Sequence, residues 1–251
     1  VHSLEVFSRE VEEKNEGLRI GYRNGSAGDD LVGYWRLDRS VSGNGGLVKD
    51  YSGNRNDGVT NGGLNSNAEG ILGAQAFQFD GSDDYVSFLD DENLGPEKLT
   101  ISLWAYRDGS KNNVYLFDGR NHHYSIKFDD GTSIPRFGVD TGSPKIINSN
   151  LGDIPDQEWT HIVGSYNGSV QRLYVNGALA GENSISGDVQ TSSGPARIGD
   201  YIGGGYEHIG KIDELRLYNR SLSTSEVKDL YFNGMPYRGN FTAEKIDKAQ
   251  E

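Results

Sequence analysis

The stretch Tyr174-Val-Asn-Gly-Ala-Leu179 places an Asn-Gly pair between two short apolar runs. Asn and Gly both tolerate the positive φ angles of a two-residue turn, so this pattern is the strongest local indication of a β-hairpin. On both sides of it, apolar and polar residues alternate, and turn residues recur about every ten positions. Such alternation is typical of strands that bury one face.

Ten runs of this kind lie between Leu31 and Asn219. Together they predict an all-β fold, a two-sheet antiparallel β-sandwich in which apolar side chains face inward. The runs are residues 34–37, 76–79, 85–88, 99–104, 114–117, 124–128, 161–166, 171–175, 196–199 and 211–218.

The two ends of the chain differ from this pattern. In residues 1–30, Val1, Leu4, Phe7 and Val11 have helical spacing, which predicts a short N-terminal helical arm followed by a loop. After the last strand, Ser221–Leu230 combines a Ser cap, an early acidic residue and helical spacing, so a short helix is predicted to end near Gly234. We therefore divide the chain into 1–30, a sandwich domain at 31–233, and a polar tail at 234–251.

Composition narrows the function classes. The formal net charge is −13, and a surface of that sign repels phosphates, so a nucleic-acid partner is not expected. The chain has no Cys, which excludes disulfides and thiolate metal sites. No segment has the roughly 18 apolar residues that a membrane span needs.

Seven motifs in order resemble one family. They are residues 33–38 (GYWRLD), 50–58 (DYSGNRNDG), 79–86 (FDGSDDYV), 100–104 (TISLW), 159–163 (WTHIV), 173–177 (LYVNG) and 210–223 (GKIDELRLYNRSLS). The sequence is thereby identified as similar to the laminin-G-like, or concanavalin A-like lectin/glucanase, jelly-roll domains. The resemblance implies a jelly roll and, by analogy, a recognition role, although domains of this fold also include glycan-cleaving enzymes.

Aromatic residues are assigned by their context. Trp35, Trp104 and Trp159 lie within alternating runs, so we expect them to pack between the sheets. The better ligand candidates are Tyr201 and Tyr206, which flank glycines in a loop that begins at Asp200.

The sequence gives no support for catalysis. A retaining glycosidase needs two carboxylates on one face of a strand, and no predicted strand carries such a pair. His122 and His123 are adjacent, so on a strand they would diverge, and we interpret them as loop residues. No nucleophile elbow or phosphate loop occurs.

Acidic and amide side chains form two candidate Ca²⁺ sites, because calcium prefers six to eight oxygen ligands at turns. The first contains Asp38, Asp50, Asn54, Asp57 and Asp213. Asp213 is predicted to share its face with Leu215 and Leu217, and a buried carboxylate needs a partner or a metal. The alternative is that these residues build turns and accept backbone hydrogen bonds.

The second candidate Ca²⁺ site lies at the rim of the sandwich. It contains Asp108, Asn112, Asn113, Asp200 and Glu207, which are positioned like the calcium loops of pentraxins. Four Asn-x-Ser/Thr sequons, at Asn24, Asn167, Asn219 and Asn240, modestly favour an N-glycosylated surface protein.

We therefore expect a secreted or cell-surface recognition or adhesion module that binds a glycan or a partner protein and is stabilised by calcium. Two alternatives stay open. One is a structural headpiece of a surface filament or surface layer, which would self-associate through the N-terminal helix. The other is an accessory carbohydrate-binding domain of a larger hydrolase.

Overall fold

The structure is a computed structural model that describes residues 30–41, 43–72, 75–88, 94–109, 114–190 and 194–235. The described chain forms sixteen strands and one helix. In chain order they are β1 (Leu31–Trp35), β2 (Leu47–Val48), β3 (Gly58–Asn61), β4 (Asn65–Glu69), β5 (Gln75–Asp80), β6 (Tyr85–Phe88), β7 (Leu99–Arg107), β8 (Tyr115–Gly119), β9 (Tyr124–Phe128), β10 (Pro135–Asp140), β11 (Pro144–Asn148), β12 (Trp159–Tyr166), β13 (Val170–Val175), β14 (Ala178–Ser184), β15 (Ala196–Ile198), β16 (Ile209–Tyr218) and α1 (Thr224–Gly234).

The strands form two antiparallel sheets of eight. The first sheet has the order β14-β13-β12-β7-β16-β5-β4, with β1 also pairing with β16. The second sheet has the order β11-β10-β9-β8-β15-β6-β3-β2. Seven of the fourteen strand pairings in the described chain join strands that are not consecutive, such as β7 with β16 and β8 with β15, so the chain crosses repeatedly between the sheets. The prediction of an all-β, two-sheet antiparallel jelly roll is confirmed.

The core lies between the sheets, and β7 shows how the sequence fills it. Leu99, Ile101, Leu103 and Ala105 are fully buried in the main apolar cluster, whereas the alternate residues face the other side of the sheet. Side chains on a strand alternate between faces, so one nine-residue strand supplies the core and also an outer face. The predicted hairpin is also present, since Asn176 and Gly177 have φ values of 50° and 76° between β13 and β14.

Helix α1 covers part of the outer face of the first sheet. Val227 of the helix packs with Val163 and Tyr174 of the sheet in a second, small apolar cluster. Ser223 caps the helix: its side chain accepts from the Glu226 amide, and the Glu226 side chain accepts from the Ser223 amide. The predicted helix after the last strand, with a Ser cap, is confirmed.

The three Trp residues do not share one environment. Trp35 is fully buried between the sheets, as predicted. Trp104 is buried on the opposite side of its sheet, where its ring stacks on Tyr231 of α1 at 5.7 Å. Trp159 is half-buried and packs on Tyr106. The inter-sheet prediction is therefore wrong for Trp104, because α1 supplies a second apolar environment that alternation cannot reveal. It is also wrong for Trp159, which pairs with Tyr106 on the same outer side.

Asp213 also departs from its predicted face. Ile212 pairs with Ala105 of the core, and Asp213 pairs with Trp104 on the outer side. A β-bulge after Asp213, where Glu214 has a φ of 53°, then returns Leu215 to the core. Because a bulge inserts one residue, it changes the alternation, and Asp213 does not share the face of Leu215 and Leu217.

Residues 1–29 of the predicted N-terminal helical arm and loop, and residues 236–251 of the predicted tail, lie outside the described residues. The division at residues 31 and 233 stays a prediction. Within the described ranges, no helix has the length and apolarity needed to cross a membrane.

Candidate functional site

Four rings meet on the outer face of the second sheet, and we call them the aromatic cluster: Tyr115, His122, Tyr201 and Tyr206. Tyr115 is central, since its ring centroid lies 5.3 Å from Tyr201, 6.0 Å from Tyr206 and 5.4 Å from His122. Tyr115 is buried, whereas 38% of Tyr206 is exposed. The cluster therefore has a buried floor and an accessible rim.

A bulge in β8 places Tyr115 in the cluster. The pairing register shifts between Tyr115 and Phe117, so Leu116 and Phe117 both lie in the core. Tyr115 pairs with Lys127 of β9 on the outer side. Without the extra residue, strict alternation would put Tyr115 and Phe117 on the same face.

The turn from β8 to β9 presents His122. Arg120, Asn121 and His122 have φ values of 33°, 53° and 67°, a conformation that costs free energy in residues with a side chain. His122 Nδ1 lies 2.8 Å from Asp118 Oδ1, which fixes the ring orientation. When Nδ1 carries the proton, Nε2 is a hydrogen-bond acceptor.

Asp118 also holds the second loop. Its Oδ2 accepts from the Ile202 amide at 3.0 Å, so one fully buried carboxylate ties the β8–β9 turn to the loop at residues 200–207. The Tyr115 amide adds a bond by donating to the Tyr206 carbonyl at 3.0 Å. These bonds fix the rim Tyr residues relative to the floor.

Asp200 and Arg197 anchor the base of that loop. Arg197 Nη1 donates to Asp200 Oδ2 at 2.7 Å and to the Tyr201 carbonyl at 3.1 Å. Asp200 Oδ1 accepts from the Tyr206 amide at 3.3 Å. Burial raises the pKa of Asp200, while these bonds oppose the rise. Asp200 therefore positions both rim residues.

A buried cation lies beside the floor of the cluster. Lys127 Nζ donates to the Tyr115 hydroxyl at 3.0 Å. Burial, reinforced by the nearby Arg136 charge, lowers the pKa of Lys127, and burial raises the pKa of Tyr115. The raised pKa of Tyr115 keeps its phenol neutral, so this group acts as a hydrogen-bonding group rather than as an acid.

The arrangement is suited to binding. Apolar rings with a few fixed polar groups are the usual lining of a small-molecule site. At the rim of the cluster, the rings of Tyr201, Tyr206 and His122 offer faces for stacking. Their hydroxyl and imidazole groups can form hydrogen bonds with a polar ligand.

The structure brings together all three residues that the sequence nominated for ligand binding, Tyr201, Tyr206 and Asp200. The sequence analysis did not select Tyr115 and Asp118 as partners of these residues. Both lie in or next to an apolar run, and the β8 bulge that turns Tyr115 outward cannot be recognised from that run. The sequence predicted only a loop position for His122 and did not predict a binding role. His122 and His123 do lie in the turn between β8 and β9, as interpreted.

In the first predicted calcium set, Asp50 holds a turn together through its carboxylate. Its carboxylate accepts from the amides of Tyr34, Ser52 and Asn56 at 2.8–3.0 Å. Asp57 Oδ1 accepts from the Asp50 amide at 2.8 Å. These bonds give Asp50 a turn-building role, and its calcium role stays a prediction.

The other three members of this set lie in different surroundings. Asn54 Nδ2 donates to the Leu31 carbonyl at 2.6 Å, and Asp38 forms an ion pair with Arg36 at 2.6 Å. Asp213 Oδ1 and Oδ2 accept from the Glu214 and Ile71 amides. Burial raises the pKa of Asp213 to about 8, and the charges of Glu214 and Asp38 add to the rise. The charge of Asp38 therefore acts on Asp213.

The second predicted calcium set is partly outside the described residues, since Asn112 and Asn113 are not described. Asp108 is exposed, Asp200 is paired with Arg197, and Glu207 Oε1 accepts from the Gly205 amide. Within the described ranges, no three acidic or His side chains of either set have ligand atoms within 4.8 Å of one another.

The sequons are distributed between described and undescribed parts. Asn167 and Asn219 are exposed, and Asn24 and Asn240 lie outside the described residues. Asn167 Oδ1 accepts from the amides of Ser169 and Val170 in the β12–β13 turn. Glycosylation stays a prediction at all four positions.

Comparison with solved structures shows the same fold in several binding domains. Domain 4 of AbnA, an extracellular arabinanase from Geobacillus stearothermophilus solved with arabinotriose, has a TM-score of 0.64 at 22% identity, over 80% of this chain and 98% of that domain. The binding domain of Paraclostridial Mosquitocidal Protein 1 has a TM-score of 0.64 at 18% identity, over 82% of this chain and 52% of the other. A structure of botulinum neurotoxin type C, whose cell entry depends on two ganglioside molecules, has a TM-score of 0.63 at 15% identity, over 82% and 52%.

The chain spans about half the length of the two toxin chains and almost all of the arabinanase domain. No curated protein matches it. A family model described as the concanavalin A-like lectin/glucanases superfamily, of laminin-G type, matches residues 80–228, more than half of the chain. With its two-sheet jelly roll and this match, the chain belongs to the concanavalin A-like lectin/glucanases superfamily.

Proposed function

We propose that this chain is a non-catalytic carbohydrate-binding module and that the aromatic cluster is its glycan site. The observation that carries the proposal is the convergence of Tyr115, Tyr201 and Tyr206 on one outer face of the second sheet. Sugar rings have apolar C–H faces and a polar rim of hydroxyls. A cluster with aromatic faces and fixed polar groups matches both features.

The polar groups are held without needing a ligand. Asp118 binds His122 and the Ile202 amide, and Arg197 binds Asp200, so the rim is pre-formed. A pre-formed site loses less conformational entropy on binding than a mobile one. This favours a binding role for a loop that contains three consecutive glycines, 203–205.

Known relatives of the fold support the class of ligand. The AbnA domain is a domain of an extracellular arabinanase solved with arabinotriose, and the botulinum structure concerns gangliosides. Because fold alone does not define function, these support the proposal by analogy. The AbnA match over 98% of that domain favours the accessory carbohydrate-binding domain of a larger hydrolase among the alternatives.

Extracellular location, adhesion and stabilisation by calcium remain parts of this proposal. For calcium, we propose Asp38 and Asp213 as the members of the first predicted set that share an ion, since the charge of Asp38 acts on the buried Asp213. The alternative of a filament headpiece rests on the N-terminal arm.

A glycan array tests the proposal. The wild-type chain is expected to give saturable signals, and Tyr206→Ala is expected to weaken the best of them by about tenfold or more, as loss of an aromatic stacking contact does. The matched control is Phe232→Ala, since Phe232 is similarly exposed but lies on α1, against the other sheet.

Three results would contradict the proposal. Wild-type silence on the array, both in calcium and in chelator, would oppose glycan binding. An equal loss in Tyr206→Ala and Phe232→Ala would oppose this site. Release of reducing sugar from a bound glycan, abolished by His122→Ala, would oppose the non-catalytic assignment, because the Asp118–His122 pair can accept a proton.

A further inference from the structure

The turn between β5 and β6 gathers three carboxylates that belong to neither predicted calcium set. Asp80 ends β5, and Asp83 and Asp84 precede β6. One oxygen of each lies within 4.8 Å of one oxygen of each of the others. Three like charges at this separation repel one another unless a cation or protons neutralise them.

Among the three carboxylates, Asp84 is the one whose surroundings indicate a ligand. It is only 4% exposed, and its Oδ1 has no hydrogen-bond partner, while Oδ2 accepts from the Asp80 amide at 3.1 Å. A buried carboxylate oxygen without a partner costs free energy. Burial raises the pKa of Asp84 to about 6, and the charges of Asp80 and Asp83 add to the rise.

The other two carboxylates leave oxygens available. Asp80 Oδ1 accepts from the Ser82 amide at 2.8 Å, which shapes the turn. Asp80 and Asp83 are exposed, and no ion pair within the described ranges joins a cation to any of the three. The turn thus holds acidic oxygens with no neutralising partner among the described residues.

The neighbouring β3–β4 turn holds the ligand-bearing backbone in place. Gly62 has a φ of 79°, and a Cβ on it would lie 2.1 Å from the Asp83 carbonyl oxygen. Only Gly permits this approach, so the two turns pack closely. A supported backbone lowers the entropy cost of binding an ion.

We propose that Asp80, Asp83 and Asp84 bind one calcium ion in the β5–β6 turn. An oxygen-only donor set excludes the soft metals, which prefer thiolate or imidazole. Calcium accepts irregular geometry and bidentate carboxylates, whereas Mg²⁺ demands a near-ideal octahedron. Unused carboxylate oxygens, the turn carbonyls and water supply the remaining ligands.

Calorimetric titration of the chelator-stripped, full-length chain with CaCl2 tests the site. Asp83→Asn is the principal variant, because Asp83 is exposed and its carboxylate forms no hydrogen bond with the described chain. Asp84→Asn is the second, since its amide oxygen can still accept from the Asp80 amide. Both are expected to weaken one calcium-binding event by about tenfold or more relative to wild type. Asp229→Asn, an exposed carboxylate on α1, is the matched control and is expected to bind like wild type.

Two results would overturn the proposal. One is wild-type protein that binds no calcium up to about 10 mM, beyond the range of extracellular calcium modules. The other is Asp83→Asn and Asp84→Asn proteins that keep the wild-type stoichiometry and affinity. Circular dichroism spectra of all variants show whether a loss reflects binding or unfolding. A calcium ion bound at Asp38 and Asp213 instead would be lost in Asp213→Asn and kept in Asp83→Asn.

Discussion

At the scale of single residues, Asp213 combines almost complete burial with a pKa raised to about 8. The native state then holds the Asp213 proton more tightly than the unfolded state, whose pKa is near 3.8. The contribution of this proton to stability is therefore complete below pH 4 and is lost as the pH rises through 8.

Two buried histidines have the opposite effect on stability. His161 and His208 have pKa values lowered to about 3 and about 4, so their contribution to stability is lost as the pH falls below 6.5.

Between pH 6.5 and 8, Asp213 is therefore the main cause of the pH dependence of the free energy of unfolding. In chelator, the free energy of unfolding is expected to fall with rising pH by at most about 1.4 kcal/mol per pH unit. Asp213→Asn is expected to flatten that slope. Denaturant titrations at several pH values measure it, with Asp229→Asn as the control. Equal slopes in wild type and Asp213→Asn would show that the carboxyl is not protonated in the native state.

At the scale of elements, the stability of α1 depends on the hydrogen bonds and the ion pair of its first turn. The Ser223 side chain accepts from the Glu226 amide, and Arg220 Nη2 donates to Glu226 Oε1 at 2.7 Å. The hydrogen bond with Arg220 is the largest cause of the lowered Glu226 pKa of about 2. The helix in turn covers Trp104, so fraying of the cap exposes an aromatic face of the first sheet.

Ser223→Ala is expected to lower the free energy of unfolding by about 1 kcal/mol, the usual cost of losing an N-cap. Tryptophan fluorescence during denaturant unfolding measures it, because Trp104 lies beneath the helix. Ser186→Ala, in an exposed loop, is the control and is expected to unfold like wild type. If the two variants have the same midpoint, the cap contributes nothing measurable.

At the scale of the whole molecule, both calcium proposals predict a stability that depends on the free ion. A ligand held only by the native state at about 100 times its Kd adds about 2.7 kcal/mol, which raises the Tm of a domain of this size by roughly 5–10 °C. Calorimetric melts in CaCl2 and in excess chelator measure the shift. An unchanged melt would contradict both proposals, whereas Asp83→Asn and Asp213→Asn show which site supplies the shift.

The sequence by itself determined most of the elements of this protein, since its ten alternating runs and its capped segment correspond to ten of the sixteen strands and to α1. Alternation along β7, the Asn176-Gly177 turn and the Ser223 cap each depend on local chemistry, so the sandwich and its closing helix could be predicted. It also selected Tyr201, Tyr206 and Asp200, because aromatic residues beside glycines in an exposed loop are not expected to serve the core.

Only the tertiary structure decided which faces these residues occupy and what they meet. A bulge moves Tyr115 to the outer face, another moves Asp213 off the face of Leu215, and α1 covers Trp104. The physical reason is that a one-residue bulge reverses alternation and that distant strands become neighbours only when the sheets close. A local pattern carries neither piece of information, so the aromatic floor and the partner of each carboxylate emerge only in the folded chain.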